Sequence, residues 1–290
     1  MSGHFNQIFG KYDDAFRKAR SEEYKLSILL SQNGFSFVLF YIERNFFSGL
    51  ASFEYKGLKK TSNYCSAFRE FAESNEYLTL KYNEVTIIYE SPNTTLIPTP
   101  LFIKNEKEQY LKFNSWKKTE DIVLIDNLIN LEANNVFSIP IDINKMLNNL
   151  FPGSKTHCHI SALIENIMIV NKNLPLKMRV FVNVRKDLFD IIITEGSSLI
   201  YHNTFPHKSN EDFIFYILYV FNQFKINPED IDFSFSGLID NDSKLFEIAY
   251  KYIRNISFEK LNDAFSYSYA IKEIPEHYFL NLINSNRCEL

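Results

Sequence analysis

Residues 178–205, MRVFVNVRKDLFDIIITEGSSLIYHNTF, decide how the chain is read. β-Branched and aromatic residues fill the runs 180–184, 189–194 and 199–201, and the turn-forming groups Arg185-Lys186-Asp187 and Glu195-Gly196-Ser197 separate them. Short strands joined by such tight turns make an antiparallel meander. The same layout stands earlier in LSILLSQNGFSFVLFYIERNFFSGLASF, residues 26–53. The two stretches align without a gap at an offset of 152, so that Phe37 meets Phe189, Glu43 meets Glu195 and Phe53 meets Phe205. The spacing predicts two halves built on one plan.

Composition bounds what such a chain does. At 290 residues, with 46% hydrophobic and 16% aromatic side chains, it has core enough for one large or two ordinary domains. Thirty-one basic against 35 acidic residues leave a formal charge of -4, the wrong sign for the cationic face that holds nucleic acid. Residues 1–20 are polar and mixed in charge, unlike the basic start and apolar core of a signal peptide. The longest apolar runs, 35–42 and 213–221, fall short of the ~20 residues that span a bilayer. A soluble, cytoplasmic protein without a membrane or nucleic-acid partner is expected. Cys65, Cys158 and Cys288 are an odd set with no CxxC, which fits three separate thiols in a reducing compartment.

Taken in order, residues 1–24 read as a short helix or frayed lead-in. Strands 25–31 and 35–42 flank Gln32-Asn33-Gly34, a hairpin signal because Asn and Gly tolerate positive φ. A third strand covers 45–55, and Tyr64, Ala67, Phe68 and Phe71 place a helix over 63–73. Strands follow at 79–82 and 85–89, an extended segment at 91–100, a polar stretch at 104–118 that is helical up to Leu111, and strands at 121–126 and 136–140. Asp142 is the expected N-cap of a helix 143–150. A strand at 155–159 and a helix capped by Ser161 lead to a boundary at 171–175. After the meander come a helix 210–224 capped by Ser209 or Asn210, a strand 231–235, the turn Ser236-Gly237, a helix 245–253, a strand 267–271 and a loose end at 276–283.

Three antiparallel strands, a helix, a strand and a helix, given twice, resemble the duplicated ribonuclease-H-like plan of the actin-like ATPase superfamily. More narrowly, LSILLSQNGFSFVL from Leu26, YLKFN at 110–114, NVFSIP at 135–140, YHNTF at 201–205 and the helix DFIFYIL at 212–218 are similar to domain-of-unknown-function family 3822, bacterial proteins with an actin-like fold. The likeness runs from about residue 20 to the end. It implies an α/β fold of two βββαβα halves with a cleft between them: a lead-in at 1–24, a first subdomain at 25–172 and a second at 173–290.

Actin-like ATPases hold phosphate in two hairpins with an Asp-x-Gly type turn, where backbone amides grip oxygens and the Asp handles the metal. The matching turns here are Ser31-Gln32-Asn33-Gly34 and residues 183–187. The first has no acid, the second no glycine, and the lone carboxylate, Asp187, reads more simply as a surface turn residue. A glycine turn under the adenine is partly kept at Ser236-Gly237. The eight glycines are never closer than seven positions, so neither a Walker loop nor GxGxxG can be written. The strands 25–31 and 177–184 lack the acids of a two-metal nuclease. His157-Cys158-His159, with His202 and His207, is the one metal-type cluster, with His157 and His159 sharing a face if 155–159 is a strand; a solvated pair is the simpler reading and no metal is expected. Glu43 and Glu195 could form an acid–base pair but read as strand-end residues facing water, and no Ser or Cys stands in a nucleophile elbow. The favoured expectation is a non-catalytic, protein-binding actin-fold protein with degenerate phosphate turns, an unidentified protein partner and no cofactor. The alternative is a divergent ATPase or phosphotransferase that takes ATP and Mg at Asn33, Gly34, Lys186, Asp187, Ser236 and Gly237.

Overall fold

A computed structural model describes residues 4–58, 60–114, 121–172 and 174–287. Cys288 and residues 115–118 of the expected polar segment lie outside them. The chain divides into two compact units, one of Met1–Glu165, Asn262–Ile274 and Asn281–Leu290, the other of Asn166–Leu261 and Pro275–Leu280.

The first unit is built on β1 (Phe5–Tyr12), β2 (Tyr24–Ser31), β3 (Gly34–Tyr41), β4 (Phe46–Tyr55), helix α1 (Thr61–Ser74) and β5 (Glu84–Tyr89). Inserted after them are β6 (Thr94–Pro98), α2 (Lys107–Asn114), β7 (Asp121–Leu128) and β8 (Ala133–Pro140). The chain returns through α3 (Ile141–Leu150), β9 (Lys155–Cys158) and α4 (His159–Asn171), within which the division between the units falls. The second unit continues with β10 (Met178–Val184), β11 (Leu188–Glu195), β12 (Ser198–Pro206), α5 (Asn210–Phe224), β13 (Asp232–Gly237), α6 (Lys244–Tyr250) and β14 (Ile256–Phe258); β15 (Ser266–Tyr267) and α7 (Leu280–Asn284) end the chain.

Both main sheets share one order over five strands, with β1 an added outer strand in the first. In the first it is β1-β4-β3-β2-β5-β9, in the second β12-β11-β10-β13-β14, and β2 with β5, like β10 with β13, is parallel while the meanders are antiparallel. The duplication is therefore real, but its register is not gapless. Ile28 pairs with Phe37 and Val182 with Ile191, an offset of 154 on both strands, whereas Phe35–Phe53 and Phe189–Phe205 match at 154 and 152. The shift arises because residues 42–45 join β3 to β4 while Gly196 and Ser197 alone join β11 to β12. A slip of two keeps every side chain on its face, so the alternation could not reveal it. Each meander also carries a bulge at the same place, at Ser48 and at Ile200.

The inward faces make two cores. Phe35, Phe37 and Phe53 pack with Phe5 and α1's Tyr64, Phe68 and Phe71 in the first; Phe189, Ile191, Ile193, Phe213, Ile217, Phe221, Phe233 and Phe235 pack together in the second. Leu111, Val123 and Val136 form a small third cluster under the β6-β8-β7 sheet. Helix α5 starts with a capping box: Ser209 Oγ accepts from Asp212 N–H, and Asp212 accepts from Ser209 N–H.

Several expectations are corrected. Residues 1–24 are no mere lead-in, since β1 pairs antiparallel with β4 and seats Phe5 among Phe35, Tyr55 and Phe71. Residues 79–82 form no strand: a turn over 76–79 precedes β5, in which the Asn75 side chain accepts the Tyr77 and Leu78 amides and Thr79 N–H returns to the Asn75 carbonyl. The third helix begins at Ile141, so Asp142 lies in its first turn with Pro140 at the cap. The fourth begins at His159, with Ser161 inside it. Residues 262–274 and 281–290 belong with the first unit, where Ser266 and Tyr267 extend β4 in parallel.

Candidate functional site

The hairpin at Ser31–Gly34 is bonded within itself and to β4 and α1. Asn33 N–H donates to Ser31 Oγ (3.2 Å), Asn33's carbonyl accepts from Tyr55 N–H (2.8 Å), and Gly34's carbonyl accepts from Ser31 Oγ (3.2 Å) and Tyr64 Oη (3.0 Å). Gly34 sits at φ +151°, and a Cβ there would lie 2.0 Å from the Phe53 carbonyl oxygen. Close passage of β4 demands the glycine.

The second unit brings four of the sequence-nominated residues to one end of its sheet. Lys186 and Asp187 are exposed in the turn closed by Arg185 N–H to the Leu188 carbonyl (2.9 Å), and Gly237 pairs with Val184, the last residue before that turn. Gly237 N–H donates to the His277 carbonyl (2.7 Å) and Leu238 N–H to the Val184 carbonyl (2.8 Å). At φ +84°, a Cβ on Gly237 would lie 2.1 Å from Val184 O. Here too a neighbouring strand explains the glycine.

Beneath this end runs a polar row that the sequence reading missed. Thr204, Asp190, Asn183 and Ser236 are register neighbours across β12, β11, β10 and β13. Thr204 Oγ1 donates to Asp190 Oδ1 (2.6 Å), Asn183 Nδ2 to Asp190 Oδ2 (3.2 Å) and Ser236 Oγ to Asn183 Oδ1 (3.2 Å). Arg185 Nη2 completes the carboxylate at 2.9 Å, and Asp190 is 0% exposed. With the ion pair and these donors around it, Asp190 anchors the strand ends and holds Arg185 under the turn. The corresponding β3 and β4 residues at offsets of 154 and 152 are Ser36 and Ser52, joined hydroxyl to hydroxyl at 2.9 Å. The buried charge is a feature of the second half.

The histidines separate. Because β9 ends at Cys158, His157 stays on the strand while His159 opens α4 and is fully buried, so the two share no strand face. His157 Nδ1 meets Asp126 Oδ1 at 2.8 Å; Asp126 Oδ2 accepts from Cys158 N–H (2.7 Å) and Ser161 Oγ (2.6 Å). Serine, aspartate and histidine are thus together, but the hydroxyl is bound to the acid and not to the imidazole, so this is no nucleophile–base pair. The carboxylate ties the end of β9 to the first turn of α4. His207 Nε2 bonds the Arg185 carbonyl at 3.2 Å, which fixes the proton on that nitrogen. Among the described residues no group of three or more His, Cys, Asp or Glu side chains is placed to hold a metal ion. Glu43 is exposed and bonded to Tyr41 Oη (2.6 Å); Glu195 is exposed and ends β11 opposite Met178. The longer β3–β4 connection puts them at non-equivalent places. Burial raises the Cys65 thiol to about 11, so it is inert at neutral pH.

Burial raises Glu259 above the ordinary glutamate range, against a hydrogen bond from Ser234 that lowers it. A raised folded value favours the fold below the unfolded value of about 4.3, and that contribution is lost as pH rises through the folded value. Glu259→Gln is therefore expected to raise the melting midpoint near neutral pH and to lose this advantage below about pH 4.3. An equal shift at both pH values would show that the carboxyl is not desolvated.

A family profile described as "Protein of unknown function (DUF3822)" matches residues 13–256. A Bacteroides thetaiotaomicron VPI-5482 protein with actin-like ATPase fold and unknown function is similar at 24% identity and a TM-score of 0.79, over 94% of this chain and 99% of that one. The PilM-PilN type IV pilus biogenesis complex contains a chain similar at 11% identity and a TM-score of 0.60, over 90% of this chain and 96% of that one. No curated protein matches. With the profile spanning 244 of its 290 residues, from Leu-rich first hairpin to the strand after α6, the chain belongs to the DUF3822 family and has the actin-like ATPase fold.

Proposed function

We propose that the protein is a non-catalytic member of the actin-like fold that works in the cytoplasm by binding another protein. The supporting observation is the state of the turns. Asn33, Gly237 and Leu238 spend their amides on internal partners, and both glycines answer to neighbouring strands. Phosphoryl transfer depends on donors and metal positioned around developing charge, and the Ser31–Gly34 hairpin supplies no acid. That PilM, on the same fold, is found in a complex with PilN lends support to a partner-binding role.

A second reading, a divergent nucleotide-binding ATPase or phosphotransferase, is favoured by the exposure of Lys186 and Asp187 beside Ser236 and Gly237. Thermal melting with Mg-ATP separates the two. Nucleotide at about 100 times its Kd would stabilise the fold by ~2.7 kcal/mol; at most a small shift is expected, with no turnover above background. Gly237→Trp is no blocking probe, since its side chain would be driven into Val184. A rise of several degrees that Lys186→Ala or Asp187→Asn removes would establish the nucleotide reading instead.

A further inference from the structure

The first half departs from the common plan in two places, and both border one cleft. Residues 13–23 join the added strand β1 to β2, and residues 42–45 make the β3–β4 connection longer than its counterpart in the second half. Between them lies a cleft of about 400 Å³ lined by Phe16, Arg17, Arg20, Tyr24, Tyr41 and Arg44 among others, a volume within the range of small-ligand sites. Tyr24 pairs with Tyr41 at one end of the β2–β3 hairpin, and Ser31 with Gly34 at the other, roughly 23 Å away along the strands. None of the residues nominated for nucleotide lines the cleft.

Its wall is aromatic and its rim cationic. Tyr24 stacks on Tyr41 at 4.9 Å, and Phe16 stands edge-on to Tyr24 at 5.0 Å. The Arg44 guanidinium lies over the Tyr41 ring at 6.0 Å. Both carboxylates of the cleft are already engaged: Asp13 accepts from Ala15 N–H (2.8 Å) and Ser268 Oγ (2.7 Å), and Glu23 is paired with Arg20 at 2.7 Å. Arg17 and Arg44 are exposed and have no carboxylate partner among the described residues. Burial raises the Tyr24 phenol above its ordinary range while Arg20 and Arg44 both act against the rise, so the two cations are felt at one spot.

We propose that this cleft binds a small phosphate monoester carried on a ring, with Arg17 and Arg44 holding the phosphate and the aromatic wall taking the ring. Two guanidiniums without counter-charge call for a dianion. A phosphate monoester carries about -1.5 to -2 near pH 7, roughly twice what one carboxylate offers. The guanidinium fork also matches phosphate geometry, donating to two oxygens at once. Phe16, Tyr24 and Tyr41 then present ring faces and edges of the kind that pack against another ring. The site goes beyond the protein-binding role and does not depend on it.

Isothermal titration of the full chain with phenyl phosphate, inorganic phosphate and benzoate tests this. Phenyl phosphate should bind about tenfold or more tighter than either of the others, since inorganic phosphate lacks the ring and benzoate the second charge. Arg17→Ala and, separately, Arg44→Ala should each weaken it by about tenfold or more, the share of a hydrogen bond to a charged group. Both side chains are exposed, and far-UV circular dichroism checks that the variants fold. Arg44→Lys should recover only part of the loss, because the charge returns without the fork. A phosphotyrosyl peptide should bind no more tightly than phenyl phosphate; tighter binding would give the cleft to a phosphorylated protein and overturn the small-molecule assignment. The proposal also fails if phenyl phosphate does not bind up to about 10 mM, if inorganic phosphate or benzoate binds as well, or if both alanine variants leave binding unchanged.

Discussion

Asp190→Ala is expected to cost ~3 to 5 kcal/mol of unfolding free energy, because it strips the counter-charge from a buried guanidinium. Arg185 is 6% exposed and its Nη2 lies 2.9 Å from Asp190 Oδ1, while Thr204 and Asn183 hold the same carboxylate at 2.6 and 3.2 Å. Truncation leaves all three donors without that acceptor. The net worth of the pair is a different quantity, since replacing both partners by apolar groups is often neutral. Arg185→Met/Asp190→Ala should therefore lose less than the two single variants added together, a coupling that urea unfolding resolves. A loss below about 1 kcal/mol for Asp190→Ala would mean that water reaches the site and that the row is not an anchor.

That row shows where a sequence stops being legible. Asp190 interrupts an apolar run, Asn183, Thr204 and Ser236 stand on three other strands, and nothing in the local pattern says that they are neighbours. Only the register across four strands does. The Asp126–His157 contact joins β7 and β9 across 31 positions for the same reason. The meanders were legible because alternation and turn residues report the strand period directly, and the start of α5 because Ser209 and Asp212 stand at capping-box spacing. Strand β1 was hidden by the polar residues Asn6, Gln7 and Lys11 around Phe5 and Phe9, and β15 by being two residues long. The turns were legible in what they lack, an acid in one and a glycine in the other. Their internal hydrogen bonds, which bear most on the functional reading, belong to tertiary structure.

The duplication itself can be tested through its cores. Phe35 and Phe189 occupy matching places at the start of the second strand of each meander, opposite Phe53 and Phe205, and both are buried. Phe35 touches Phe5, Phe53, Phe68 and Phe71; Phe189 touches Phe205, His207, Phe213 and Tyr216. Phe35→Ala and Phe189→Ala should each cost ~3 to 5 kcal/mol, the transfer of the ring plus the cavity left behind. The partners do not overlap, so each variant should act on its own core. Hydrogen exchange can assign the damage, with faster opening expected in β2, β3 and α1 for one variant and in β10, β11 and α5 for the other. If either substitution left the thermal midpoint unchanged, or if Phe189→Ala loosened the first core as much as the second, the picture of two separately packed copies would fail. Should Phe35→Ala prove the costlier, β1 gives the reason: Phe5 packs edge-on against Phe35 at 5.1 Å, and among the described residues no second strand pairs with β12 to do the same for Phe189.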